Sequence, residues 1–221
     1  MYTVRPMPEQ VPAEDLELLA QVETATVGHW RLMGFMDRRI QPLIPGRRVV
    51  GTAVTLAISA SDSTLLHHAT GLLRPGDILV VDRLGDDKYA CWGGGVTVAA
   101  KAAGAVAGIV DGPCTDLTEI MESDFPMWSR GLSPITTRIY DLGGAMNVPV
   151  SCGGAVVMPG DAILADESGV LVLPRDEVRE VAEKAIAIQT AGKEREARVR
   201  RGEIRLGELS GASAKVLAKL A

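Results

Sequence analysis

The chain has 221 residues, 47% of them hydrophobic and 23% charged, which suffices for one sizeable core but falls short of two full domains. Its net charge of −5 gives no broad electrostatic reason to bind phosphate backbones, so no nucleic acid partner is expected. No apolar run approaches the roughly 18 residues of a membrane span, and no basic-then-apolar leader begins the chain, so no membrane partner is expected either.

The cysteines indicate the compartment. They are odd in number, lack CxxC spacing and lie in apolar or glycine-rich surroundings: Cys91, Cys114 and Cys152. This pattern predicts buried free thiols in a reducing, cytoplasmic location, with no disulfide framework.

The first part of the chain predicts a helix, then a strand or a strand pair, and then a second helix. Residues 13–27 place apolar side chains at helical spacing after Pro12, and RRVVGTAVTLAIS, which follows Pro45-Gly46, is rich in Val and Thr as strands are. The segment DSTLLHHATGLL predicts a helix with Asp62 or Ser63 as its cap.

The next segments alternate. RPGDILVVD predicts a strand, GGGVTVAAKAAGA a helix, VAGIVDG a strand, and TDLTEIMES a helix capped by Thr115 or Asp116. This order is typical of an α/β unit with parallel pairing, so the fold class is α/β.

Short β segments separated by Gly and Pro follow, and then a long charged helix from Arg175 to about Arg201, interrupted by Gly192. Its apolar stripe of Val178, Val181, Ala182 and Ala185 suits docking onto the domain. We expect one domain over residues 1–221, with an N-terminal helical segment (1–45), an α/β core (46–174) and a C-terminal helix and tail (175–221).

Two buried strands end in an acid and a glycine-containing turn between Asp82 and Asp116, where open α/β sheets favour ligands. Trp92-Gly93-Gly94-Gly95-Val96 opens a helix, so its backbone N–H groups either bind an anion or serve a tight turn. Asp116 either binds a hard cation such as Mg²⁺ or caps its own helix.

The order of RPGDILVVD, CWGGGVTVAAKAAGAVAGIVDG, TDLTEIMESDFPMWSRG and NVPVSCGGAVVMPGDAILADESGVLVLP resembles the RraA-like family, also known as the class II HMG/CHA aldolases. The match runs roughly from Gly46 to Lys184, and the PGD…ADESGV ending is its most specific part. The resemblance implies a single-domain β/β/α fold related to swivelling phosphohistidine domains, assembled as homotrimers or homohexamers with sites at subunit interfaces.

Family aldolases, including those of 4-hydroxy-4-methyl-2-oxoglutarate, and oxaloacetate decarboxylases use Mg²⁺ or Mn²⁺ to stabilise a pyruvate enolate. The resemblance therefore implies a metal-dependent lyase for a small 2-oxo or hydroxy di- or tricarboxylic acid, with Asp116 as the metal ligand. It also implies that the amides of Gly93, Gly94, Gly95 and Val96, beside Trp92, bind a substrate carboxylate.

The family pattern is an acid, twenty intervening residues, and Arg-Asp. On this chain only the final acid, Asp116, is kept, because Thr115 stands at the arginine position and Gly94 at the first acid. Thr115 cannot supply positive charge to an enolate. Family aldolases also take a C-terminal carboxylate from an adjacent subunit, and only Glu194 lies near that position.

Several residues are candidates to compensate for these changes. We consider Arg83, Lys88, Lys101 and Arg130 for the cation, and Asp86 and Asp87 for the acid. His67 and His68 point about 100° apart on a helix, so they cannot form one paired ligand face, and one of them is a candidate to enter a pocket. Trp92 and Trp128 either wall the pocket or fill the core.

Two functions remain open at this stage. One is the diverged lyase, and the other is a non-catalytic protein-interaction regulator, as RraA is for ribonuclease E. Loss of catalytic side chains fits the second as well as a changed substrate or mechanism fits the first.

Overall fold

A computed structural model describes residues 1–59 and 61–220; Ala60 and Ala221, which belong to the predicted core and C-terminal segments, lie outside the described residues. The strands are β1 (Tyr2–Val4), β2 (Gln41–Pro42), β3 (Val49–Ala57), β4 (Asp77–Asp82), β5 (Ala107–Val110), β6 (Met127–Ser129), β7 (Gly144–Met146), β8 (Val150–Cys152), β9 (Ala155–Val157), β10 (Ala162–Asp166) and β11 (Gly169–Leu173). The α-helices are α1 (Ala13–Leu19), α2 (Thr24–Val27), α3 (Thr64–Thr70), α4 (Gly94–Ala102), α5 (Leu117–Glu122), α6 (Val178–Arg200), α7 (Leu206–Leu209) and α8 (Ala212–Leu217).

One mixed sheet organises the molecule, in the order β1-β7-β3-β4-β5-β6-β2. Strands β3 to β6 pair in parallel, as the alternation of strands and helices predicts, and β10 joins the other side of β3 in antiparallel pairing with β11 beyond it. Strands β8 and β9 form a separate hairpin. The α/β fold class is confirmed.

Strand β4 is buried on both faces, which explains its uninterrupted apolar sequence. Leu79 and Val81 face a core that includes residues of α3, α4 and α5. Ile78 and Val80 face the opposite core, against the β8–β9 hairpin. The sheet therefore holds α4 and α5, whose first residues carry the candidate site, on one side.

The N-terminal segment differs from the prediction of one helix over residues 13–27. The helix ends at Leu19 and a new one begins at Thr24. Asp166 accepts hydrogen bonds from the backbone N–H of Thr24, at 2.8 Å, and from its hydroxyl, at 2.6 Å. The backbone N–H of Glu23 donates to Gln189 at 2.9 Å, so these tertiary contacts replace the helical bonds of the break.

The C-terminal helix also corrects an expectation. Helix α6 continues without interruption through Gly192 to Arg200, and its predicted apolar stripe is buried against β10 and β11. Although α6 is long, none of the described helices combines the length and apolar character needed to cross a membrane.

Asp62 holds the irregular segment 131–143 against α3. Its carboxylate accepts hydrogen bonds from the backbone N–H groups of Thr64, Tyr140 and Leu142, each at 3.0 Å, and from the Thr64 hydroxyl at 2.6 Å. Burial opposes ionisation, but these hydrogen bonds outweigh it and lower the pKa of Asp62 to about 2. The carboxylate therefore fixes the path of the chain through Arg138.

We expect Asp62→Asn to lower the free energy of unfolding at pH 7 by about 1–3 kcal/mol, because one backbone N–H would face an amide NH₂ group. Urea unfolding measures the change, with Asp124→Asn at an exposed position as the control. In an unfolded chain, the pKa of an Asp side chain is about 3.9. Since the folded pKa is about 2, the difference between wild type and variant should be full above pH ~4 and narrow as the pH falls through 2. Equal stability of the two variants would contradict the role of Asp62.

Candidate functional site

Asp82 and Asp111, the acids at the ends of two buried strands, bind backbone and side-chain groups of neighbouring loops. Asp82 accepts hydrogen bonds from the backbone N–H groups of Leu84, at 2.7 Å, and Ser151, at 3.2 Å. Asp111 pairs with Arg130 and accepts the N–H of Gly153 at 2.8 Å. Both carboxylates thus fix the edge of the sheet beside which the site is built.

Asp116 does not cap its own helix. It precedes α5 with a left-handed backbone (φ 53°), and its side chain makes no capping hydrogen bond. Its carboxylate instead accepts the N–H of Gly94 at 3.0 Å and the hydroxyl of Thr115 at 3.2 Å. The left-handed backbone therefore turns this side chain toward the glycine turn of α4, and the capping alternative is wrong.

A cavity of about 250 Å³ lies in front of Asp116. It is lined by groups from α3, from the glycine turn, from the turn before α5 and from segment 131–143. These residues are Ser63, His67, Ala90, Cys91, Gly93, Gly95, Val96, Thr115, Asp116, Thr136, Thr137, Arg138 and Ile139. The structure thus brings the predicted Asp116, Thr115, Gly93, Gly95 and Val96 together.

The glycine turn fits closely around the carboxylate. A Cβ on Gly93 would overlap Oδ2 of Asp116 and lie 3.2 Å from its Cγ. Because the Gly94 N–H is bound to Asp116, this amide is already used. The N–H groups of Gly95 and Val96, in the first turn of α4, have no acceptor within the helix, and both residues line the cavity.

Both tryptophans lie in the core. Trp92 has no exposed surface, donates from Nε1 to Thr97 at 2.9 Å and stacks on Phe125. Trp128 is equally buried and donates to the backbone oxygen of Asp166 at 3.0 Å. Trp92 therefore does not contact the cavity, contrary to the expectation that it binds substrate, because its indole fills the space beneath α4.

The two histidines separate as their helical positions require. His67 lines the cavity in front of Asp116, whereas His68 lines a different cavity with Tyr2 and Leu65. The two histidines therefore face different cavities and do not form one paired ligand face, as predicted.

The residues considered as compensating groups lie elsewhere. Arg83 is fully buried and pairs with Asp86 at 3.1 Å. Lys88 lies over the ring of Tyr89, and Lys101 donates to the backbone oxygen of Ser123. Arg130 and Asp87 line a separate cavity. None of these residues lines the cavity of Asp116.

Sequence reasoning missed two charged residues. Arg138 lines the cavity from segment 131–143, which has no periodic pattern that indicates its position. Glu119 lies against Gly94, and its spacing of three residues from Asp116 on a predicted helix is a signal that was available. Glu194, the acid nearest to the position of the family's C-terminal carboxylate, lies on α6, and its carboxylate is 3.8 Å from the guanidinium of Arg201.

Burial raises the pKa values of all three cysteine thiols. Desolvation raises the pKa of Cys91, which lines the cavity, to about 11. Burial also raises the pKa values of Cys114 and Cys152 well above the usual range. Their burial thus disfavours the thiolate form at physiological pH, as expected for buried free thiols.

The donors around the glycine turn suit a hard divalent cation. Carboxylate oxygens of Asp116 and Glu119 fill the space left by the missing Cβ atoms of Gly93 and Gly94. Within residues 1–59 and 61–220, no group of three or more His, Cys, Asp or Glu side chains is placed to hold a metal. A cation held here would draw its other ligands from water or substrate, as Mg²⁺ commonly does.

Comparison with known proteins shows which protein family the chain resembles in sequence. The family model described as RraA-like, Aldolase/RraA, matches residues 22–172. "Putative 4-hydroxy-4-methyl-2-oxoglutarate aldolase" of Halalkalibacterium halodurans is 34% identical over 157 residues, which cover 71% of this chain and 74% of that protein. A Deinococcus radiodurans protein of the same name is 35% identical over 126 residues, covering 57% of this chain and 78% of its own.

Among solved structures, the fold resembles Streptomyces coelicolor RraAS2, described as an unusual member of the RNase ES inhibitor RraA family. The TM-score is 0.76 with 27% identity, over 84% of this chain and 97% of RraAS2. The family match spans most of the described sheet, together with the glycine turn and Asp116. The chain belongs to the RraA-like family.

Proposed function

We propose that this protein is a divalent-metal-dependent lyase that cleaves or decarboxylates a small 2-oxo or hydroxy di- or tricarboxylic acid. The observation that carries the proposal is the carboxylate of Asp116, turned away from its own helix and toward a cavity that the first turn of α4 also lines. The names of the aldolase relatives support the same reaction class.

Asp116 would hold Mg²⁺ or Mn²⁺, and the cation when bound would polarise a 2-oxo acid and offset enolate charge. The Gly94 N–H and the Thr115 hydroxyl orient the Asp116 carboxylate. The amides of Gly95 and Val96 bind a substrate carboxylate at the positive end of α4. Breaking the C–C bond would leave its electron pair on the pyruvate enolate and release the other fragment, as CO₂ from oxaloacetate or, after the hydroxyl proton passes to water, as a carbonyl compound from a hydroxy acid. The enolate would then take up a proton to give pyruvate.

Arg138 is our candidate to replace the family arginine, whose position holds Thr115. Arg138 lines the cavity, and its Nη1 lies 3.4 Å from the backbone oxygen of Thr136. The backbone of Arg138 is fixed because its N–H donates to Ser61 and its carbonyl accepts from Ser63, both at 2.9 Å. A substrate carboxylate in the cavity would thus pair with a positive charge supplied by segment 131–143 instead of by position 115.

The assembly and location form part of the same proposal. A homotrimer or homohexamer in the cytoplasm accords with the family, and the three buried free thiols suit a reducing compartment.

A second candidate function is a non-catalytic regulator that binds another protein. It is favoured by the likeness to RraAS2, which is described as a member of an RNase ES inhibitor family. A regulator needs no cation at Asp116, so the assays below separate the two functions.

We expect pyruvate release from oxaloacetate or 4-hydroxy-4-methyl-2-oxoglutarate that requires Mg²⁺ and is abolished by EDTA. Asp116→Asn should lower kcat/KM by about a hundredfold or more, because the cation loses its charged ligand. A coupled assay for pyruvate measures both.

The matched control is Asp124→Asn. Asp124 is also an aspartate with a left-handed backbone (φ 46°), but it lies on the surface, where it pairs with Arg47. If neither substrate is turned over by wild type, or if both variants are equally active, the lyase proposal is wrong.

Arg138→Gln should raise KM for the same substrates by roughly 10- to 100-fold, the value of a lost charge-assisted hydrogen bond. Steady-state kinetics measure the effect, with Arg47→Gln on the surface as the control. An unchanged KM in Arg138→Gln would show that the arginine does not contact the substrate.

A further inference from the structure

The space beside Gly94 is occupied by the side chain of Glu119. A Cβ on Gly94 would overlap Oε2 of Glu119, lie 2.7 Å from its Cδ and 3.0 Å from its Cβ. Any side chain at position 94 would therefore displace the Glu119 carboxylate from its present place. The missing Cβ of Gly94 is what allows this carboxylate to approach the first turn of α4.

Glu119 and Asp116 approach the same residue, Gly94. Oδ2 of Asp116 accepts the N–H of Gly94 at 3.0 Å, and Oε2 of Glu119 occupies the position of its missing Cβ. Each fills the Cβ space of one glycine, Asp116 at Gly93 and Glu119 at Gly94, and these glycines are adjacent in the chain. The same turn thus receives two carboxylates from one helix.

Helix capping does not account for this arrangement. An acid before a helix and a glutamate three residues later can form reciprocal capping hydrogen bonds. Asp116, however, makes no side-chain capping bond and is hydrogen-bonded to Gly94 on α4 instead. A pair of carboxylates turned away from the capping arrangement and toward a neighbouring turn is suited to share a cation.

We propose that Glu119 supplies the second carboxylate of the cation site, from the position that a side chain at residue 94 would occupy. The inference rests on the proposed function, because Asp116 is the first ligand. Glu119 holds the cation directly or through one of its waters, so position 94 needs no acid of its own.

The test measures Mn²⁺ binding to the full chain by electron paramagnetic resonance, without substrate. We expect Glu119→Gln to weaken Mn²⁺ affinity by roughly 10- to 100-fold, the usual effect of losing a supporting group at a metal site. Glu122→Gln, one turn later on α5 and exposed, should bind as wild type does. Circular dichroism checks that both variants fold.

A second pair of variants tests the geometry without removing a charge. Gly94→Ala should weaken Mn²⁺ binding, because its methyl group displaces the Glu119 carboxylate. Gly192→Ala should leave Mn²⁺ affinity unchanged, since a Cβ there would have no atom within 4 Å. Gly192 also lies within a helix, α6, but away from the candidate site.

The outcomes separate this inference from the lyase proposal. Weak binding in Asp116→Asn with wild-type binding in Glu119→Gln overturns the role of Glu119 alone. Wild-type binding in Asp116→Asn removes the cation site and the proposed function together. Weak binding in Asp116→Asn, Glu119→Gln and Gly94→Ala, with normal binding in the two controls, supports the two-carboxylate site.

Discussion

The absence of side chains at Gly93 and Gly94 is the constraint on which the candidate site depends. Because neither residue has a Cβ, the start of α4 can lie against the carboxylates of Asp116 and Glu119. The hydrogen bond from Gly94 to Asp116 then joins two helices that follow neighbouring parallel strands. The left-handed backbone of Asp116 completes the arrangement by turning its side chain away from α5.

Much of the fold could be predicted because burial imposes local patterns. The uninterrupted apolar run of β4 reflects packing on both faces, and the stripe on α6 reflects packing on one. The break before Thr24 could not be predicted, since it depends on Asp166, far along the chain. Gly192 does not stop α6, because a single glycine costs only about 1 kcal/mol in a helix.

The site was predictable where it follows the order of the elements. The ends of β4 and β5 locate the glycine turn and Asp116, and both border the cavity. Arg138 was missed because it lies in an irregular segment whose path is set by the hydrogen bonds of Asp62. Trp92 was misplaced because an aromatic residue beside a glycine turn can face the core or the pocket, and sequence spacing does not distinguish them.

The close fit between Gly94 and Glu119 also couples substitutions at these two positions during evolution. A chain that gains a side chain at residue 94 loses the present placement of Glu119, so neither substitution is independent of the other. In the proposed two-carboxylate site, moving the acid from α5 to residue 94 on α4 would therefore require replacing both residues. Comparing residue 94 alone across relatives would then misjudge which of them keep the negative charge.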